Sequence, residues 1–268
     1  MLRYIKKKIK QLLSDQSDKL YYRIENQNSK NIYAIKKLIS TAELHKETFS
    51  EFKGYFQGKS IVIVGAGPSI SNFKPIDNCI YIGLNSACRL DLPFNFLFTI
   101  DKIGIEKYYD DFANRGCLKF VGDQDLGPDF QIPESVIYQL GNVRRYKTDT
   151  RIQNPSSFTV DIDSQPLGNF NTVSLQAAQF ALYTNPDKIY LVGIDCTSKG
   201  HFYDNSSEVE EYHKRISKRG ENYQQWQYDT VKFWQEFKSF ANTYYPETSI
   251  ISVNPIGLKG LFEDLIQQ

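Results

Sequence analysis

The sequence predicts an α/β domain of Rossmann-like, doubly wound type, with a mostly parallel sheet and a helical appendage in front of it. Three observations carry this. From Lys59 onward, short β-rich runs alternate with helical ones, the pattern of strands that each need a crossover before the next. The apolar run 61–64 leads straight into Gly65-Ala66-Gly67-Pro68-Ser69, a strand-to-turn junction of the kind that carries a ligand in such sheets. Residues 1 to about 50 lack such runs and are rich in Lys, Asn, Gln and Ser.

In chain order, the first ten residues hold Arg3, Lys6, Lys7, Lys8 and Lys10 without an acid, and Ile5, Ile9, Leu12 and Leu13 fall at helical spacing among them. A basic amphipathic helix is expected there. It suits two uses equally: residues 1–13 resting on an anionic membrane surface, at about 1 kcal/mol per Lys or Arg, or packing against its own domain or a second subunit of a homo-oligomer. A second helical stretch, 31–52, carries Ile32, Ile35, Leu38 and Ile39 on one face and runs into Gly54 and Gly58. The chain therefore divides into a helical extension, 1–54, and an α/β domain, 55–268.

Within that domain, strands are expected over 60–64, 80–84, 96–100, 118–121, 136–140, 188–194 and 249–253. Helices are expected over 172–183 with Asn171 as N-cap, over 223–243 and over 258–266. A chain of 268 residues with 41% hydrophobic content is long enough for one sizeable core plus an appendage. The balance of 32 basic against 31 acidic side chains produces no overall field for nucleic acid. Cys79, Cys88, Cys117 and Cys196 show no C-x-x-C spacing, so neither a zinc site nor a disulfide framework is expected. With no apolar run near ~18 residues and no signal-peptide pattern, the expected location is the cytoplasm, or the inner face of the cytoplasmic membrane as a peripheral protein.

The glycine turn points to phosphate. Gly65 and Gly67 remove Cβ atoms where backbone must approach a ligand, and Ser69 adds a hydroxyl beside the N–H groups of a helix start. A dinucleotide fingerprint needs a third glycine where Ile70 stands, and an acid at the end of the second strand, where Asn85 and Ser86 stand. NAD and FAD are disfavoured on both counts. No G-K-[ST] follows, which excludes a Walker loop.

In an open α/β sheet, ligands bind beyond the carboxyl ends of strands. Asn85 and Ser86 end the second strand, and an amide there both donates to and accepts from a base or sugar. Asp101 and Lys102 end the third; Asp101 suits ribose hydroxyls, or else caps the next helix. The run 189–194 is apolar and then turns abruptly polar through Asp195, His201, Tyr203 and Asp204. Thr172 and Ser174 open an alanine-rich helix whose N-terminus suits a second anion.

These segments, in this order, resemble the bacterial sialyltransferases of glycosyltransferase family 42, and more loosely other proteins built on a G-x-G-P-S turn, such as flagellin motility accessory factors. The likeness spans residues 60–256 and concentrates in Gly65–Ser69 and Gly193-Ile194-Asp195. It implies a variant nucleotide-sugar-transferase fold, a CMP-activated acidic sugar as donor and no obligatory metal or other cofactor. It also implies a nucleotide site at Gly65, Gly67, Pro68, Ser69 and Asn85, with Asp101 standing where the family has an amide. Thr172 and Ser174 would meet the donor sugar or phosphate, and Tyr203 would hold the leaving phosphate.

One departure bears on mechanism. The family places a His general base in a lid before the penultimate long helix, and the corresponding stretch, 220–226, contains none. Three histidines exist. His45 reads as a surface residue of the extension. His201, in a glycine-flanked loop, is the favoured proton acceptor, ahead of His213 in the charged segment 208–219; Asp195 and Asp204 are the carboxylate alternatives. Asp161 and Asp163 have the D-x-D spacing that holds Mg²⁺ in many sugar transferases, but no strand precedes them, so they read as a loop pair. Tyr223, Trp226, Tyr228, Phe233 and Trp234 fall at helix spacing and read as a core stripe rather than a sugar platform. Arg144, Arg145 and Lys147 read as a solvated face.

The expected activity is inverting transfer of a sugar, an acidic one such as sialic acid, from a CMP-linked donor to a bacterial surface glycan or its lipid-linked form, as in capsule or lipopolysaccharide synthesis. Two alternatives stand beside it: Mg²⁺-dependent pyrophosphoryl transfer, with Asp101 and Asp195 as metal holders, and a non-catalytic nucleotide-binding assembly module.

Overall fold

A strand buried on both faces must be apolar at successive positions, and Ser60-Ile61-Val62-Ile63-Val64 meets that requirement as β1 (Ser60–Val64) at the centre of the sheet. The computed structural model describes residues 2–124, 131–149, 158–168, 170, 172–197, 200–204, 210, 214 and 223–267. Around β1 lie β2 (Cys79–Leu84), β3 (Phe94–Thr99), β4 (Leu118–Gln124), β5 (Val143–Asp149), β6 (Leu167–Gly168), β7 (Lys188–Val192), β8 (Ser249–Val253) and β9 (Glu263–Leu265). All pair in parallel, in the order β6-β5-β4-β3-β2-β1-β7-β8-β9. The chain winds outward from β1 to β6, returns, and winds the other way from β7 to β9. The order therefore reverses between β1 and β7, and the crevice beyond their carboxyl ends is where such sheets bind ligands.

Side chains of β1 alternate between two cores, as a two-residue period requires. Ile61 and Ile63 face a layer that includes Phe98, Phe120 and Phe180, with helices α4 (Val173–Tyr183) and α5 (Tyr223–Tyr244). Val62 and Val64 face the other layer, with α2 (Lys102–Asn114) and α3 (Glu134–Leu140). Phe233, Trp234 and Phe237 make the buried stripe of α5, whereas Tyr228, expected in that stripe, is 68% exposed, because it lies off the face that meets the sheet.

The helical stretches expected before the sheet are one helix, α1 (Leu2–Phe49). Its last turns belong to the sheet's core: Phe49 stacks on Phe120 at 5.6 Å, and Thr41, His45 and Thr48 are buried. His45 is thus no surface residue. The Nδ1–H of its ring donates to Ile162 O at 2.8 Å, and Nε2 accepts from the Lys147 amide at 2.7 Å, tying α1 to β5 and to the loop before β6. Burial, with Lys147 adding like charge, pushes the imidazole from 6.5 down to about 4. The neutral ring is the one the fold holds. Its contribution is therefore complete above about pH 6.5 and is lost as pH falls toward 4, by ~3 kcal/mol across that window. Urea unfolding at several pH values should show this loss, and His45→Gln, which keeps a donor and an acceptor without titrating, should flatten it. Equal acid sensitivity in the two proteins would remove His45 as the cause.

Two expectations for secondary structure fail, and one for a charged face with them. Residues 136–140 are helical: Ile137 and Leu140, three apart, are buried while Tyr138 is exposed, which is a helix's spacing. The strand is instead β5, whose Arg144, Arg145 and Lys147 are not a solvated face. Tyr146 between them is fully buried and donates to Gln176. Arg144 donates to Thr48 O at 2.9 Å, capping the carbonyl end of α1, and Arg145 and Lys147 pair with the buried Asp123. Residues 258–266 form turns and then β9, because Gly260 takes φ +74°, a left-handed conformation that ends a helix. Among the described residues, no helix is long and apolar enough to cross a membrane.

Candidate active site at the reversal of strand order

The glycine turn is shaped first by its neighbour. Gly65 N donates to Val192 O at 2.8 Å and Gly67 N to Gly193 O at 2.9 Å, so the turn after β1 lies flat against the turn after β7. A Cβ on Gly65 would fall 2.5 Å from Gly193 O, and one on Gly67 2.5 Å from Asp195 Oδ2. Neither position admits a side chain. The close approach at both glycines is to the protein's own backbone and to Asp195, and both also line the pocket described below.

Ser69 and Asp195 explain each other. The Ser69 amide donates to Asp195 Oδ2 at 2.8 Å, and its hydroxyl donates to Oδ1. Both residues are buried. Ser69 therefore directs neither donor at a phosphate, and Asp195 is a bracket between the two turns rather than an open base or metal ligand. Pro68 opens a five-residue 3-10 turn, Pro68–Asn72, in which Ile70 N bonds back to Gly67 O. The α-helix N-terminus expected here is absent.

At the end of β2, Asn85 is held at φ +49° and its buried Oδ1 has no hydrogen-bond partner. An orphaned buried acceptor is costly in a folded protein and fits a ligand N–H or O–H. Asp101 takes the capping alternative: its carboxylate accepts from Gly104 N at 2.9 Å at the start of α2. The ribose reading is not supported, since Asp101 lies outside the pocket described below. At α4 the N-cap is Thr172, whose hydroxyl accepts from Ser174 N at 3.2 Å and contacts the Ser174 hydroxyl at 2.7 Å. Asn171, expected there, lies outside the described residues.

The loop after β7 folds back over both turns. Phe202 N donates to Ala66 O at 2.8 Å. His201 Nδ1 lies 2.7 Å from Asp204 Oδ2, which also accepts from the His201 amide at 2.8 Å. A carboxylate on Nδ1–H fixes the tautomer with its lone pair on Nε2. The Tyr203 ring stacks on His201 at 5.3 Å and donates its hydroxyl to Ser86 Oγ at 2.8 Å, while the Arg89 guanidinium lies 4.8 Å over that ring. Burial raises the Tyr203 pKa, opposed by the Ser86 bond, so the phenol stays protonated at neutral pH. His213 lies outside the described residues.

These elements enclose a pocket of about 170 Å³, with Gly65, Gly67, Asn85, Ser86, Thr172, Ser174, Asp195 and His201 on its walls. Eight of the thirteen site residues expected from sequence thus share one wall lining. Pro68, Ser69, Asp101 and Tyr203 stand outside it. Thr197 after β7 and the buried Thr230 of α5 line it and were missed; the one local signal for Thr230 is a hydroxyl on an otherwise apolar helix face. The volume is below the ~300–1,000 Å³ of drug-sized ligand sites, and suits a phosphate or one sugar ring. No Lys or Arg lines it among the described residues, so an anion there would meet hydroxyls, an amide and the α4 N-terminus. Asp161 and Asp163 lie apart from it, Asp163 accepting from the Tyr183 hydroxyl at 2.9 Å.

No protein-family model matches the chain, and no curated protein does. Among solved structures, the sialyltransferase CstII from Campylobacter jejuni, in complex with the substrate analogue CMP-3FNeuAc, matches 77% of this chain and 86% of its own at 15% identity and a TM-score of 0.43. The sialyltransferase Cst-II in complex with a trisaccharide acceptor and CMP matches 72% of this chain and 80% of its own, at 15% identity and a TM-score of 0.42. Those values assign no role to any residue of this chain.

Proposed function

We propose that this chain is an inverting glycosyltransferase that moves a sugar from a nucleotide donor, CMP-linked and acidic, to a glycan or lipid-linked glycan acceptor. The observation that carries the reading is the His201 imidazole, oriented by Asp204, on the wall of a pocket at the strand-order reversal. His201 Nε2 takes the proton of the acceptor hydroxyl as that oxygen attacks the anomeric carbon, and the bond to the nucleotide phosphate breaks. The departing phosphate gains charge, and the Thr172 and Ser174 hydroxyls with the α4 N-terminus stabilise it. The unpartnered Asn85 Oδ1 accepts from a ribose hydroxyl or a base amine. The CMP preference rests on the sequence likeness alone.

The geometry works against the two alternatives. Metal-assisted phosphoryl transfer needs Asp101 and Asp195 as ligands, and the first caps α2 while the second is engaged through both oxygens by Ser69. A passive assembly module has no use for an oriented imidazole–carboxylate pair.

The test is a panel of nucleotides and nucleotide sugars scored by thermal shift and by donor hydrolysis, with and without EDTA. CMP and CMP-sugars should raise the melting temperature, and hydrolysis should persist in EDTA. Stabilisation by another nucleotide and none by CMP would sink the donor assignment; loss of turnover in EDTA would restore the metal alternative.

A further inference from the structure

We infer that the projecting part of α1, residues 2–40, docks the protein on an anionic lipid surface. Of the side chains that the structure describes in this helix, 19–40 are exposed except the half-buried Lys37, and burial by the domain begins at Thr41. Upstream, Leu20, Ile24, Ile32, Ile35, Leu38 and Ile39, which share one side of the helix, are 51–61% exposed. This is a long apolar face that no described residue of the domain covers.

Its sequence is periodic. Leu2, Leu13, Ile24 and Ile35 recur every eleven residues, and so do Lys8, Lys19 and Lys30. Eleven residues make three turns, so a row with this repeat drifts by only about 20° per repeat on a straight helix. Over a helix of 48 residues, about 72 Å long at 1.5 Å per residue, the repeat keeps an apolar row and a lysine row on fixed faces. The two rows lie about 130° apart around the helix, lysines on the polar side and apolar residues on the other, which is the arrangement of a helix lying in a membrane interface, and Tyr21, flanking the apolar row, favours the same depth.

Charge selects the occupant. Residues 1–50 hold eleven Lys or Arg against five Asp or Glu, a net +6, whereas residues 51–268 hold 21 against 26, a net −5. The near-neutral chain is thus segregated: its helix is drawn to an anionic surface that the sheet domain is not. The inference does not depend on the donor or on His201.

Flotation of the full chain with vesicles of equimolar phosphatidylglycerol and phosphatidylcholine tests it. Binding is expected on these vesicles, not on phosphatidylcholine alone, and should weaken at about 0.5 M salt, where screening shortens to a few Å. Reversing the row with Lys8→Glu, Lys19→Glu and Lys30→Glu should lower the partition coefficient by ~100-fold or more. Leu20→Ser, Ile24→Ser, Ile35→Ser and Leu38→Ser together should lower it by ~10-fold or more, with the melting temperature kept because all four are exposed. No binding to anionic vesicles, equal binding to neutral ones, or a lipid-free dimer that the serine variant abolishes, would each overturn it.

Discussion

Replacing His201 by Ala is expected to lower sugar transfer by ~100-fold or more while leaving the fold in place. The side chain is 38% exposed but its ring partners the Asp204 carboxylate, which is only 9% exposed, so its loss costs about 1 kcal/mol of stability, which a melting curve reads apart from the fall in activity. Donor affinity should change little, because the base acts on the acceptor's proton. Asp204→Asn should produce a smaller fall: the amide still contacts Nδ1 but no longer enforces the tautomer with its lone pair on Nε2. A steady-state comparison of kcat and KM for the three proteins, with a melting curve for each, decides the matter. Near-normal kcat in His201→Ala discards the residue as base and turns attention to His213.

The second large effect is structural. Asp195→Ala removes the acceptor of both the Ser69 amide and the Ser69 hydroxyl, leaving two buried donors unpaired at about 1–3 kcal/mol each. The expected loss of stability is therefore roughly 2–5 kcal/mol. The turns after β1 and β7, which this carboxylate joins, should separate enough to weaken nucleotide binding. Asp195→Asn keeps one acceptor and should fall between. Urea midpoints and nucleotide titrations report both quantities. An Asp195→Ala protein with native midpoint and native binding would show that the bracket is dispensable.

The two effects differ in how far the sequence foretold them. The polar switch after an apolar strand marked both Asp195 and His201 as strand-end residues, and both do line the pocket. Their roles then diverge. His201 is oriented by a residue three positions away, close enough for the loop's own sequence to suggest the pair. Asp195 is engaged by a residue 126 positions away, and no local pattern encodes that bond. Ser69 was misassigned to phosphate for the same reason, and Asp101 to ribose because a capping carboxylate and a ligand-binding one look alike in sequence.

What the sequence determined by itself was the parallel α/β class, the strands β1, β2, β3, β4, β7 and β8, the helices α4 and α5, and the end of the sheet that carries the pocket. These depend on apolar periodicity, strand-end polarity and capping residues, which act within a few positions of the chain. What only the tertiary structure decided was the burial of His45, the strand character of Val143–Asp149 with its charged residues, the edge strand Glu263–Leu265 and the pairing of Ser69 with Asp195. Each is settled by a partner far along the chain: Ile162 and Lys147 for His45, Asp123 and Thr48 for β5, β8 for β9. A buried polar group goes where its hydrogen bond can be completed, and that place exists only once distant segments have packed.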